Sequence, residues 1–278
     1  MFSDILITVD MDRTLTDTKS RIPQRNLEAI RYFTENGGAF TVNTGRSLNT
    51  YRGQMDRVPT NAPLLLFNGA ATYHEGRYTG YKTIELNMQQ VLELCRAEFP
   101  HLNLEVQALD NHYLFDPTPE FEKMYQGMKW GYKLAKVDDD LGPFLKFALF
   151  GNPDYDKIGS MYDYTAEELA EIDRIEKRIQ QLWGDKVETM RPAPRIIDVQ
   201  AKGASKGRAA RELLQQLGRK ILICVGDGEN DVSMLQEADY AFCPADGVVA
   251  DRFPKVCVCD EGAVADVIYE KIPEILRK

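Results

Sequence analysis

Histidine is scarce in this chain: there are three in 278 residues, and His74, His101 and His112 are scattered, which reads as surface or structural use. Cysteine is little used as well. The five residues, Cys95, Cys224, Cys243, Cys257 and Cys259, are odd in number and lack the short paired spacing of a zinc site, and three lie in apolar runs where cysteine acts as a small hydrophobe. No apolar stretch approaches the length that spans a bilayer, and Met1-Phe2-Ser3-Asp4 lacks the basic region and long apolar core of a signal peptide, so a cytoplasmic location is expected. Positive charge is in deficit. With 34 Lys and Arg against 43 Asp and Glu the net charge is −9, which argues against a basic face for nucleic acid or an anionic membrane. Any anionic substrate therefore needs local positive charge, for which a metal ion with Lys206 and Arg46 is the candidate. Internal repeats and low-complexity tracts are missing too. What remains, 44% hydrophobic and 28% charged residues, is ordinary for a soluble globular chain with a full core in one or two domains.

The first thing present is a pair of acids at a strand end. Asp10-Met11-Asp12-Arg13-Thr14 follows the apolar run Ile5 to Val9, and open α/β sheets place their ligands at the carboxyl ends of such strands. If the strand continued through Asp12, the two carboxylates would share a face. A calcium loop of the EF-hand kind is excluded, because counting from Asp10 its sixth and twelfth positions are Leu15 and Arg21, where Gly and Glu are required. A second acid cluster, Val225-Gly226-Asp227-Gly228-Glu229-Asn230-Asp231, follows the run Ile221 to Val225. Between them Phe40-Thr41-Val42-Asn43-Thr44-Gly45-Arg46-Ser47 repeats the layout, and Ser205-Lys206-Gly207 opens the helix leading to Ile221. Four strand or helix ends carry polar chemistry.

Taken together these motifs resemble the haloacid dehalogenase-like superfamily, in particular the Cof-type phosphatases with a large α/β cap. The pattern comprises Asp-x-Asp-x-Thr, a Thr before Gly-Arg, the Lys of Ser-Lys-Gly, and Gly-Asp-x-x-Asn-Asp, in that order. Asn68-Gly69-Ala70 after Leu64 to Phe67 and the closing segment from Tyr240 belong to the same likeness. The expected fold is α/β: a Rossmann-like parallel-sheet core with an inserted α/β cap domain.

Alternating strand and helix patterns support that core. Ile5 to Val9, a helix from Pro23 to Glu35, Phe40 to Asn43 and Leu64 to Phe67 come first; Ser205 to Leu217, Ile221 to Val225, Tyr240 to Cys243, Val256 to Cys259 and a terminal helix from Val264 come last. The core is thus expected over 1–81 and 192–278 and the cap over 82–191, with Pro192-Ala193-Pro194 as the nearest thing to a hinge. In the middle of the chain helices are expected at Met88 to Phe99, Glu120 to Trp130 and Ala166 to Trp183, with two short strands in Leu104 to Phe115 around Asp110-Asn111 and further strands at Phe144 to Phe150, Lys186 to Met190 and Arg195 to Val199. Asp138-Asp139-Asp140 reads as a solvated loop.

A phosphate monoester resists an anionic nucleophile unless a cation intervenes, and Mg²⁺ suits hard oxygen donors. The resemblance implies that Asp10 is the nucleophile, forming an aspartyl-phosphate, and that Asp12 is the general acid and base. It implies Mg²⁺ held by Asp10, the backbone carbonyl of Asp12, Asp227 and Asp231, and phosphate contacts from Thr44, Lys206, Asn230 and the backbone at Met11 and Gly45. Arg46 is expected to reach the substrate or to tie core to cap. Lys206 is preferred to Lys202 because only it stands in Ser-Lys-Gly. The expected partner is a small phosphorylated metabolite, a sugar phosphate first; a phosphomutase and a non-enzymatic phosphometabolite-binding protein are the alternatives. Two positions depart from the family: Arg13 replaces the usual Gly, and Pro244-Ala245 replaces Asn-Ala. Arg13 is expected to pair with an acid or to contact the substrate.

Overall fold

The computed structural model describes residues 1–151, 165–193 and 195–277. The chain divides into two compact units, one of Met1–Gly45, Gly53–Tyr81 and Ser205–Lys278, the other of Arg46–Arg52 and Lys82–Ala204.

In chain order, the first unit opens with strand β1 (Ile5–Val9), helix α1 (Gln24–Glu35) and β2 (Ala39–Val42). Pro23 sits at the N-cap of α1, where its missing N–H costs nothing, and Gly37 leaves the helix with a positive φ of 92°. Helix α2 (Leu48–Met55) starts in the second unit's segment and ends in the first. Then come β3 (Leu64–Leu66), β4 (Ala71–His74) and β5 (Arg77–Tyr81), an antiparallel sheet. The β4–β5 turn, with Glu75 at φ 48° and Gly76 at φ 83°, is a two-residue hairpin loop of the left-handed kind.

The second unit supplies α3 (Met88–Glu98), β6 (Asn103–Ala108), β7 (His112–Phe115), α4 (Pro119–Gly127), β8 (Lys133–Leu134), β9 (Phe144–Phe150), α5 (Ala166–Trp183), β10 (Val187–Ala193) and β11 (Ile196–Ala201). Its sheet has the order β10-β11-β9-β6-β7-β8. One face carries Leu104, Val106, Phe147, Leu149, Ile197 and Val199 into an apolar core shared with Val91 and Leu92 of α3 and Ile172, Ile175 and Ile179 of α5. The chain returns to the first unit with α6 (Lys206–Gln216), β12 (Ile221–Val225), α7 (Val232–Glu237), β13 (Tyr240–Pro244), β14 (Lys255–Val256) and a helical C-terminal stretch beginning at α8 (Ala263–Asp266).

The first unit's parallel sheet runs β14-β13-β12-β1-β2. β1 is an interior strand: Ile5 to Val9 pair with Ile221 to Val225 on one side, and Leu6 to Val9 with Ala39 to Val42 on the other. A strand buried on both faces is largely apolar, and all five residues of Ile5–Val9 are buried; its one polar side chain, Thr8, is hydrogen-bonded to Cys224 Sγ at 3.2 Å. The acid motifs following β1 and β12 thereby emerge side by side.

The division of the chain differs from the expected one. β11 pairs antiparallel with β9 over Ile196–Gln200, so 192–204 packs with the second unit rather than with the parallel sheet. Pro192 and Ala193 fall in β10, next to a register shift between Met190 and Ala193, which is where a strand tolerates proline; Pro194 lies outside the described residues. In the expected loop Asp138–Asp140, Asp139 and Asp140 accept backbone hydrogen bonds from Lys136 and Gly142 as turn residues. No helix among the described residues is long and apolar enough to cross a membrane.

Candidate active site

Asp10 is the first residue beyond β1, and its N–H donates to Val225 O, which locks the two acid-bearing strand ends together. The chain does not continue as a strand to Asp12. Met11–Leu15 forms an irregular turn in which Asp12 stays extended (φ −80°, ψ 128°) and Arg13 turns left-handed (φ 57°, ψ 12°). The two acids therefore do not share a strand face as the spacing alone suggested. Thr14, buried by that turn, donates from Oγ1 to Asp227 Oδ1 at 2.9 Å.

Lys206, the first residue of α6, is fully buried, and Ser205 caps the helix by accepting from Arg208 N. Its Nζ donates to Asp10 Oδ1 at 2.5 Å and to Asp231 Oδ1 at 2.6 Å. The other Asp231 oxygen accepts from the backbone N–H groups of Asp227 and Gly228 at 3.0 and 2.9 Å. Asp10, Asp227 and Asp231 each place a carboxylate oxygen within 4.8 Å of the others, and all three are buried. Three acids thus face one ammonium. Burial, reinforced by Asp231 and opposed by Lys206, holds the Asp10 carboxyl well above the usual carboxylate range. Burial and Asp231 likewise push Asp227 up to about 7, against the Thr14 hydrogen bond. Burial pulls the Lys206 ammonium down, but Asp10 and Asp231 outweigh it and raise its pKa. The cluster carries more negative charge than its own cation neutralises.

Around this centre, Thr44 is buried at the end of β2, and Asn43 donates from Nδ2 to Lys206 O at 2.9 Å. Gly45 has no room for a side chain: a Cβ there would lie 2.8 Å from Asn68 Oδ1. Asn230 donates from Nδ2 to that same oxygen at 3.2 Å. Gly226 is equally constrained, since a Cβ would lie 2.6 Å from that of Asp231.

Of the residues singled out in the sequence, Asp10, Lys206, Asp227 and Asp231 come into direct contact or ligand-distance grouping, and Asn230 and Gly45 meet at Asn68. Arg46 packs with the second unit, where Nη1 donates to Thr50 O at 3.4 Å. Lys202 is also there, its Nζ donating to Gly184 O. Arg13 pairs with Asp246 at 3.5 Å, and Asp246 also accepts from Cys259 N and Sγ at 3.0 and 3.2 Å. Asn43, Asn68 and Asp246 were not given site roles from sequence. Their places in the sequence are the only signals: Asn43 stands directly before Thr44, Asn68 opens the Asn68-Gly69-Ala70 segment, and Asp246 directly follows the Pro244-Ala245 departure.

A model of the haloacid dehalogenase-like hydrolases matches residues 7–249. The chain belongs to that family, in its Cof-type branch. Among curated relatives, the 5-amino-6-(5-phospho-D-ribitylamino)uracil phosphatase YwtE of Bacillus subtilis is 26% identical over 251 residues, covering 84% of this chain and 85% of its own. An uncharacterised hydrolase of Schizosaccharomyces pombe is 23% identical over 275 residues, covering 95% and 89%. With relatives of this kind named as phosphatases, the chain is a phosphoric monoester hydrolase. Two solved structures share the fold: a haloacid dehalogenase-like hydrolase from Bacteroides thetaiotaomicron, with TM-score 0.76 at 21% identity over 96% of this chain and 98% of that one, and a sugar phosphatase of subclass IIB, with TM-score 0.75 at 19% identity over 98% of each.

Proposed function

We propose that this protein hydrolyses the phosphate monoester of a small metabolite, a sugar phosphate or a related phosphorylated polyol, with Mg²⁺ as cofactor and Asp10 as nucleophile. The observation that carries the proposal is the buried grouping of Asp10, Asp227 and Asp231 around a single lysine. Its donor set fits the ion: hard carboxylate oxygens, three to one ammonium, with the Asp10 and Asp227 carboxyls held above their usual range by burial and by the charge of Asp231. Asp10, Asp227, Asp231 and the Asp12 carbonyl would hold Mg²⁺, which when bound neutralises the charge between nucleophile and phosphate.

The chain's own residues then have distinct tasks. Lys206, hydrogen-bonded to Asp10, favours its ionised form and stabilises the anionic phosphoryl group. Asp10 forms a carboxyl–phosphate bond as the ester oxygen leaves, and Asp12 gives that oxygen its proton. Asp12 next takes a proton from the water that cleaves the aspartyl-phosphate, which releases inorganic phosphate and restores Asp10. Thr44, the backbone at Met11 and Gly45, and Asn230 bind phosphoryl oxygens, while Arg46 contacts the substrate. The second unit is the cap that selects it. The name of the 5-amino-6-(5-phospho-D-ribitylamino)uracil phosphatase among the relatives, with that of the sugar phosphatase sharing the fold, supports a substrate of this size and class.

The test is phosphate release from a panel of phosphorylated sugars, polyols, nucleotides and cofactors, with and without Mg²⁺, by the wild type and Asp10→Asn. Release that needs Mg²⁺ and falls at least about 10³-fold in Asp10→Asn, some 4 kcal/mol on the barrier, is expected. Turnover by Asp10→Asn within about tenfold of wild type would remove Asp10 from the nucleophile's role.

A further inference from the structure

Three consecutive residues after β3 stand in left-handed backbone conformations: Phe67 (φ 52°), Asn68 (φ 54°) and Gly69 (φ 88°). Glycine adopts this region freely, asparagine tolerates it, and a buried phenylalanine does so only when its surroundings impose it. Strain of this kind persists where a site requires a particular backbone path. Here the path joins three of the four motifs. Asn68 N donates to Thr44 O at 2.9 Å. The Asn68 side chain, 1% exposed, lies over Gly45 and accepts from Asn230 Nδ2. Gly69 lies against the start of α6, where a Cβ would be 2.4 Å from Ser205 O, one residue before Lys206. Nothing in the catalytic steps uses Asn68, yet it touches the threonine loop and the asparagine of the second acid motif, and its neighbour Gly69 lies beside the lysine helix.

We propose that Asn68 is a positioning residue: its side-chain oxygen orients the Asn230 amide and seats the Thr44–Gly45 loop, so that both present their donors to one phosphoryl group. This rests on the reading of Thr44, Gly45 and Asn230 as phosphate contacts. The left-handed turn serves to bring the amide between them, and Gly45 is glycine because the amide occupies the space a side chain would take.

Asn68→Gly separates this role from a structural one. Glycine retains the positive φ and the backbone hydrogen bond to Thr44, so the variant should melt no lower than wild type. With p-nitrophenyl phosphate its kcat/KM should nonetheless fall about tenfold, and the inhibition constant for inorganic phosphate should rise by several-fold, as expected for a lost ground-state contact. Combined with Asn230→Ala, the loss should be about fivefold or more short of the product of the two single losses. Wild-type kinetics in Asn68→Gly, or losses that multiply fully in the double variant, would overturn the proposal. So would failure of Asn68→Gly to fold, which would make the side chain a prop of the fold. If Asn230→Ala alone leaves KM and phosphate inhibition unchanged, the phosphate-contact reading fails, and the proposal falls with it in a distinguishable way.

Discussion

Each unit buries charged side chains, but the balance of sign differs. In the first, Asp10, Asp227 and Asp231 share Lys206. In the second, Lys146 pairs with Asp198 at 2.9 Å, and Glu105 lies 2.6 Å from His112 Nδ1 while His112 Nε2 meets Ser47 Oγ at 2.6 Å. Glu105 also accepts from Gln107 Nε2 at 2.9 Å. Despite complete burial, which alone would raise it, His112 and Lys146 bring Glu105 down to about 2. Glu105 and Asp198 thus each have a cationic or hydrogen-bonding partner, whereas Asp10, Asp227 and Asp231 share one ammonium. A balanced buried network specifies structure, and an unbalanced one marks a place for something the chain does not itself supply.

Charge removal should therefore have opposite consequences in the two places. Lys146→Met takes the paired ammonium from the buried Asp198 and should cost roughly 3–5 kcal/mol of unfolding free energy, measured by urea denaturation. Asp227→Asn, which keeps an acceptor for Thr14 and removes a repelling charge, should cost nothing in chelator and is expected to raise stability, while abolishing Mg²⁺-dependent turnover. Loss of stability in Asp227→Asn comparable to that in Lys146→Met would erase the distinction.

Acid sharpens the same comparison. Asp227 has its pKa raised from 3.8 to about 7, so the folded state holds that proton more tightly. In chelator its stabilising contribution is complete below about 3.8 and lost as pH rises through about 7. Glu105 behaves in the reverse sense: its pKa is lowered from 4.5 to about 2, so its contribution is present above 4.5 and lost as pH falls toward 2. Thermal melting in chelator should therefore improve as pH falls from about 8 to about 5, with a smaller gain in Asp227→Asn, and worsen below about 4.5, with a flatter acid limb in Glu105→Gln. Identical profiles for wild type and both variants would contradict the two assignments.

The smallest expected effect concerns Arg13. It holds a left-handed conformation that costs a non-glycine residue about 1 kcal/mol, and its ion pair with Asp246 is partly exposed and worth at most about as much. Arg13→Gly should change stability by less than about 1 kcal/mol and keep Asp10 chemistry. A substantially larger loss would show that the pair braces the catalytic turn.

The parallel core was legible because its strands are short and mostly apolar, and those at Ile5–Val9 and Ile221–Val225 are each followed by an acid motif. Asp10, Lys206, Asp227 and Asp231 could be picked out for the same reason. What escaped depends on distant pairing. The place of β11 is set by β9, with Asp198 opposite Ala148, and no local signal at 192–204 reveals it. The β4–β5 hairpin did have a signal, Glu75-Gly76, but Ala71–His74 and Arg77–Tyr81 offer little apolar alternation. α2 was missed because only Leu48 and Tyr51 are buried along it. His112 has its partners at Glu105 and Ser47, and Asn68 has its partners at Thr44 and Asn230, so neither network is visible in one dimension.

The charge comparison is tested most directly by Mg²⁺-dependent thermal melting at a pH near 8, where the unbalanced centre is most fully ionised. The account predicts that Mg²⁺ raises the melting temperature of wild type and of Lys146→Met alike, and that Asp227→Asn loses most of this rise. No rise in wild type, or an undiminished rise in Asp227→Asn, would contradict it.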